Sequence, residues 1–312
     1  MTATLLAPAP AQTAPAQVPE SSATIPSTQN AAIPGAQPSS TAGSQAPAKT
    51  FDIDCELSYQ LGGPTEFLFQ IHAMNVMNQE ILSESLEVTA NVPIHMFEDP
   101  TVHHRFMRLH AEAGPFKVHY RARVLRTPQL VDTSAPEVPV AQLPDDVLHN
   151  LMPTRYCESD LLGRTAAKLF GAVPQGYGRV KAICDWIHAN IDYQIGSTQA
   201  TSTACDVYLQ RAGVCRDFAH LGVTFCRALN IPARLVVGYA RFNEPPPDFH
   251  AVFEAFIGNR WVLFDPTEMS PVDELVRIAT GRDAKDVAFA TIFGPAQMVA
   301  MNPMISEVRV GG

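Results

Sequence analysis

Three stretches of strict two-residue alternation constrain this chain more than anything else in it. In FDIDCELSYQL, Phe51, Ile53, Cys55, Leu57, Tyr59 and Leu61 fall on one side, while Asp52, Asp54, Glu56, Ser58 and Gln60 fall on the other. TEFLFQIHA repeats the pattern through Phe67, Phe69, Ile71 and Ala73, and FKVHYRARV through Phe116, Val118, Tyr120, Ala122 and Val124. Successive side chains of a strand point to opposite faces, so this period implies antiparallel sheet with one buried and one wet face. Gly62-Gly63-Pro64 and Gly114-Pro115 supply turns. Residues 51–130 are therefore expected to form a small antiparallel β-domain, a sandwich.

Before that domain, residues 1–50 are almost entirely Ala, Pro, Gln, Ser and Thr, with Glu20 and Lys49 as their only charges. So few large apolar groups cannot offset an ordering cost of about 1–2 kcal/mol per residue, and the segment reads as a disordered tail. The two tail charges cancel, which leaves the whole net charge of −9 to the remainder. No block of lysine or arginine stands out there, an argument against nucleic acid and anionic membrane as partners. The opening MTATLLAPAPAQ has neither a basic start nor a sustained apolar run, and no later stretch reaches the ~18 apolar residues of a membrane helix. A cytoplasmic protein is expected. Six cysteines in 312 residues are sparse, so six free thiols are expected rather than a disulfide framework.

Between Thr127 and Pro153 the period is lost and Pro128, Pro136, Pro139, Pro144 and Pro153 appear, so residues 131–153 are read as a linker. Residues 154–312 read as a second, α+β domain. Val180, Ile183, Cys184, Ile187 and Ile191 recur at helical spacing, and Asp206 to Arg211 suggest a short helix. A further helix follows Cys215, with Phe218, Leu221, Gly222, Phe225, Cys226 and Leu229 on one stripe, ended by Asn230-Ile231-Pro232. ARLVVGYARF, HAVFEAFI and RWVLFD then read as strands, the last two joined across Gly258-Asn259.

That turn carries a geometric consequence. If it is a two-residue turn, Ile257 pairs with Arg260, Val252 lies opposite Asp265, and His250 lies opposite Thr267. His250 and Asp265 then share a face as diagonal neighbours, within reach of one another. Cys215 heads the helix that packs on this sheet. Unsatisfied N–H groups and the macrodipole at a helix start favour an anion, and an imidazolium adds to this, which lowers a thiol from about 8.5 to as low as ~3.5–7.5. The Cys215 N–H is also placed to donate to a developing oxyanion. A sulfur nucleophile, a histidine base and a carboxylate that fixes the tautomer are the parts of a cysteine acyl-transfer site. Asp217 opposes the thiolate unless Arg216 or the helix N–H groups neutralise it. Trp186, Tyr193 and Gln194 are the candidates for a second oxyanion donor.

GVCRDFAHL, CRALNIPARLVVGYA and DFHAVFEAFIGNRWVLFDPTE together resemble the transglutaminase-like cysteine enzymes, in particular their bacterial branch of cysteine-protease-like proteins. TRYCESD, GRDAKDVAF and the amino-terminal β-domain look like further parts of that branch, so the resemblance spans Phe51 to Pro295. It implies a papain-like, transglutaminase-like core in which Cys215 is the nucleophile, His250 the base and Asp265 the orienting acid. Val252 stands where the family commonly has an aromatic residue. The implied activity is attack on an amide carbonyl of a protein or peptide substrate through a thioester, with no cofactor and no metal. Peptide hydrolysis is the leading expectation. Transglutaminase or deamidase chemistry uses the same triad, and a binding module that keeps the fold without catalysis is the contrasting class.

Other conspicuous residues have plainer readings. Cys55, Cys184 and Cys226 sit on apolar stripes as core residues, and Cys157 and Cys205 are taken as structural. Cys205, Cys215, His220 and Cys226 lack the short paired spacing of a metal site. His103, His104 and His110 read as a solvated patch, Asp283 and Asp286 as loop or cap residues, and Arg234 as an ion-pair partner at a strand start.

Overall fold

The computed structural model describes residues 47–76, 78–89, 92–242 and 248–308, so the expected tail lies outside the described residues as far as position 46. The alternating stretches form β1 (Lys49–Leu61), β2 (Thr65–Phe69) and β6 (Gly114–Arg126), with β3 (Gln79–Val88), β4 (Ile94–Glu98) and β5 (Arg105–Ala111) between them. β1 already includes Lys49 and Thr50, because Lys49 pairs with Arg126 in the sheet and its ammonium meets Glu274 at 2.7 Å. Two four-stranded antiparallel sheets result, and Tyr59, Phe67, Phe69 and Phe116 stack between them. The expected alternation fails after Phe69. Gln70, Ile71, His72 and Ala73 are all buried, because this segment runs into the other half of the molecule instead of along a sheet face.

Two domain boundaries differ from the sequence expectation. Residues 131–153 are a packed strap rather than a free linker: they contain 3-10 turns at Val140–Gln142 and Asp145–Leu151, and Glu137 forms a bridge with Ile257 and an ion pair with the buried Arg179. The second domain does not extend to residue 312. After its last strand the chain returns to the sandwich as β13 (Ala290–Phe293) on β2 and β14 (Ala296–Glu307) on β1. β14 contains Pro303, which lacks an N–H, and it is tolerated because β14 is an edge strand that pairs with β1 alone among the described residues.

Between strap and return lie α1 (Ser159–Phe170), α2 (Tyr177–Asn190), β7 (Asp192–Tyr193), α3 (Ala204–Gln210), β8 (Ala212–Gly213) and α4 (Cys215–Ala228). They are followed by β9 (Ala233–Tyr239), β10 (Phe249–Ile257), β11 (Arg260–Phe264), a 3-10 turn and β12 (Val276–Gly281). The sheet order is β11-β10-β9-β12, antiparallel throughout. α1, the helix not anticipated from sequence, packs on α4 together with α2, α3, β9 and β10.

α4 is not the two-faced helix its stripe suggested; every residue from Asp217 to Arg227 is buried. Most of its polar atoms are satisfied internally, as burial demands, His220 Nδ1 being the exception. Thr224 Oγ1 donates to the His220 carbonyl at 2.7 Å, and His220 Nε2 accepts the Ala284 N–H at 3.1 Å. Arg227 donates to the carbonyls of Ala233, Met152 and Arg282 at 2.6–3.0 Å, tying the helix end to the segments before α1 and after β12.

Gly222 lets α4 approach β10. A Cβ there would lie 2.5–3.0 Å from ring carbons of Phe253, a rigid side chain that cannot yield cheaply. Gly163 in α1 is the contrast, with nothing within 4 Å of such a carbon. Gly222→Ala is expected to destabilise by about 1–3 kcal/mol, whereas Gly163→Ala should be neutral or stabilise by about 0.4–1 kcal/mol. Urea unfolding midpoints of the two variants test this; equal effects would contradict the close approach.

Candidate active site

The turn that sets the register forms as the sequence implies. Gly258 and Asn259 both have left-handed φ, 57° and 61°, and Ile257 pairs with Arg260 while Phe253 pairs with Phe264. The same parity carries to the open end of the hairpin, where His250 Nε2 meets Asp265 Oδ2 at 2.8 Å. Both side chains are almost wholly buried, 1% and 3% exposed. Asp265 Oδ1 accepts the Thr267 N–H at 2.9 Å and its hydroxyl at 2.7 Å, an Asx turn written in the sequence as Asp-Pro-Thr. Thr267 was not singled out from sequence, although that tripeptide was the signal for it.

Cys215 is the first residue of α4, half-buried, and its thiol faces the Phe249 carbonyl at 3.9 Å. With Nε2 committed to Asp265, the ring nitrogen left for Cys215 is Nδ1, which is buried and has no hydrogen bond of good geometry. Burial works to lower the His250 pKa, but the bond to Asp265 and the contact with Cys215 together push it up to about 10. Asp265 responds in the opposite direction: burial alone would raise it, and His250 and Thr267 hold it below its ordinary value.

The segment before Cys215 explains the Gly-x-Cys spacing. Asp217 turns back so that its Oδ2 accepts the Val214 N–H at 3.0 Å and the Thr198 hydroxyl at 2.6 Å, while Oδ1 takes Arg216 at 3.2 Å. A Cβ at Gly213 would sit 2.8 Å from the Asp217 Cβ, so a glycine there allows the carboxylate to cap the helix. Its charge is spent on a guanidinium and a backbone N–H, which is the neutralisation that a thiolate nearby requires.

Of the three candidate oxyanion donors, the structure brings one to the sulfur. The parallel pairing of β7 with β8 sets Tyr193 opposite Gly213, and the Tyr193 hydroxyl lies against both the N–H and the thiol of Cys215. Burial, with the nearby sulfur, pushes that phenol up and keeps its proton in place. Gln194 contributes its backbone N–H to the Gly213 carbonyl at 2.9 Å. Trp186 is elsewhere, packed among Phe170, Tyr208 and Phe225 with Arg211 over its face. Val252 is 1% exposed and packs with Val236, Ala240 and Leu275, so it is a core residue and not a cleft wall.

The remaining cysteines form a contrast set. All six are free thiols. Burial pushes Cys55, Cys157 and Cys205 up to about 12, and Cys184 and Cys226 well above the ordinary thiol value. The histidine patch divides: His103 and His110 are surface partners of Glu98 and of Glu66 and Glu112, but His104 is 2% exposed and accepts the Thr280 N–H, joining the sandwich to β12. Among the described residues, His, Cys, Asp and Glu form no group of three or more arranged to hold a metal. Arg234 pairs with the buried Glu254 at 2.9 Å and stacks on Trp261 beside a cavity of about 790 Å³, at the far end of β9 and β10 from His250. No helix among the described residues is long and apolar enough to cross a membrane.

Residues 163–266 match the Transglutaminase-like superfamily core, and residues 49–146 match the Bacterial transglutaminase, N-terminal domain. The crystal structure of a protein from Cytophaga hutchinsonii, described as a putative cysteine protease, is 44% identical, with a TM-score of 0.82 over 86% of this chain and 93% of that one. The chain belongs to the transglutaminase-like superfamily. An uncharacterized protein of Mycobacterium leprae is 31% identical over 149 residues, and one of Mycobacterium tuberculosis is 31% identical over 115. These matches cover 44% and 32% of this chain but only 52% and 37% of the relatives, so the chain spans about half their length or less.

The raised His250 gives a pH signature. A histidine whose folded pKa exceeds its unfolded value stabilises fully below the unfolded pKa, here about 6.5, and loses that stabilisation as pH rises toward about 10. The stability difference between the wild type and His250→Gln should be constant from pH 5 to about 6 and shrink steadily above about 6.5. Denaturant midpoints across that range measure it; a difference that stays flat to pH 10 would contradict the assignment.

Proposed function

We propose that this chain is a cysteine-dependent amide-bond enzyme acting on protein or peptide substrates, with Cys215 as nucleophile, His250 as acid and base, and Asp265 as the group that fixes the imidazole. One observation carries the reading: His250 spends Nε2 on a buried carboxylate at 2.8 Å and keeps Nδ1 toward a sulfur at the head of a buried helix. A histidine placed only for packing has no need of that polarity.

The steps follow from the atoms. The Cys215 sulfur attacks the amide carbonyl carbon, a C–S bond forms, and the carbonyl electron pair moves onto oxygen. The Cys215 N–H and the Tyr193 hydroxyl are the donors beside that oxygen. The protonated Nδ1 gives its proton to the leaving nitrogen as the C–N bond breaks, leaving a thioester. Nδ1 then takes a proton from the incoming water or amine, whose oxygen or nitrogen displaces the sulfur. Asp265 stays ionised and holds the ring. Peptide hydrolysis is the outcome we favour, and amine transfer at the same thioester is the alternative that the substrate assay separates.

Selective chemistry at one thiol tests the site without a known substrate. Iodoacetamide near pH 6 is expected to modify Cys215 at least about tenfold faster than the buried thiols, read by peptide mass mapping, and His250→Ala should remove most of that advantage. A peptide library with and without a primary amine then gives cleavage products or amine adducts, and Cys215→Ala should lower either by at least about 10³-fold. Equal labelling of all six thiols, or unchanged turnover in Cys215→Ala, would support a binding module in place of an enzyme.

A further inference from the structure

The inference rests on the reading of Cys215 as nucleophile and concerns what that sulfur meets. Charges bordering it are mostly cancelled. Asp265 is paired with His250, and Asp217 is buried under Val214 N–H, Thr198 and Arg216. Arg216 is itself spent on Asp217 and on the Gln199 carbonyl at 2.9 Å.

Asp248 is the exception. It stands one residue before Phe249, whose carbonyl faces the thiol, and two before His250. One oxygen, Oδ1, accepts the Phe249 N–H at 2.7 Å, which fixes the carboxylate against the strand. The other has no hydrogen-bond partner and no cation paired with it among the described residues; the residue is exposed, and partial desolvation of its carboxyl raises it above its ordinary value. Its field acts on both the Tyr193 hydroxyl and the His250 ring, the two groups in contact with Cys215.

We propose that Asp248 sets the charge preference of the site, so that the group presented beside Cys215 is cationic. A lysine or arginine side chain flanking the scissile amide would supply it, as would the ammonium of an amine acceptor; both offer the same positive donor to the same open oxygen. A carboxylate bordering a half-exposed site acts through an effective dielectric well above that of a dry interior. It is expected to discriminate a positive from a negative reagent by about three- to tenfold.

Small charged thiol reagents read this directly on the full chain. Rates at Cys215 are measured for cationic 2-aminoethyl methanethiosulfonate and anionic 2-sulfonatoethyl methanethiosulfonate, each normalised to neutral iodoacetamide. The cationic-to-anionic ratio should fall about three- to tenfold in Asp248→Asn and persist in Asp248→Glu. An unchanged ratio in Asp248→Asn, with iodoacetamide still selective for Cys215, would overturn the inference and leave the enzyme reading standing. Loss of iodoacetamide selectivity in the wild type would remove the enzyme reading, and this inference with it. Two further arms identify the source: peptides carrying lysine against norleucine next to the scissile bond, and cadaverine against hexylamine as acceptor. The arm whose cationic preference Asp248→Asn abolishes is the source; if neither preference depends on Asp248, the inference fails.

Discussion

Burial of α4 from Asp217 to Arg227 is the constraint on which the rest of this structure depends. A helix packed against α1, α2, α3, β9 and β10 cannot shift or rotate without opening a core. Its first residue is thereby fixed against the end of β10. Enclosure also favours internal partners for the polar groups on the helix, and the partners of Arg227 and His220 Nε2 tie it to distant parts of the chain. Arg227 binds carbonyls from three separate segments, and Asp217 closes the opposite end. The helix positions a thiol because its burial leaves the thiol nowhere else to go.

The sheet contributes the second coordinate. A two-residue turn at Gly258-Asn259 sets a register that puts His250 and Asp265 on one side of the hairpin, and their hydrogen bond gives the imidazole a direction. The amino-terminal sandwich is joined to this sheet by hydrogen bonds rather than by a tether. Tyr239 donates to the Ile71 carbonyl at 2.6 Å, and Gln79 exchanges bonds with both the N–H and the carbonyl of Arg277. After β12 the chain returns to the sandwich, where β13 and β14 each complete a sheet.

Local signals made much of this legible in the sequence. The hairpin parity, the helix behind Cys215 and the alternation of β1 and β6 all rest on spacing within a few residues, and each is found as read. What escaped depends on partners far away. β14 is half exposed and carries a proline, so nothing within it announces a strand until β1 lies beside it. The strap at residues 131–153 reads as a linker by its prolines, but it packs along the β10–β11 turn. Tyr193 was indistinguishable from Trp186 and Gln194 because only the β7–β8 pairing, a long-range contact of two residues each, separates them. Polar residues on α4 suggested a wet face for the same reason: their partners are remote in sequence.

The account reduces to a claim about one covalent bond. Rapid mixing of the protein with a cleavable peptide pool, acid quench and intact-mass measurement would capture an acyl group, which hydroxylamine releases if it is held as a thioester. The account predicts an adduct located on Cys215, labile to hydroxylamine and absent from Cys215→Ala. An adduct of the same kind on another thiol, or turnover of the pool with no adduct that depends on Cys215, would contradict it.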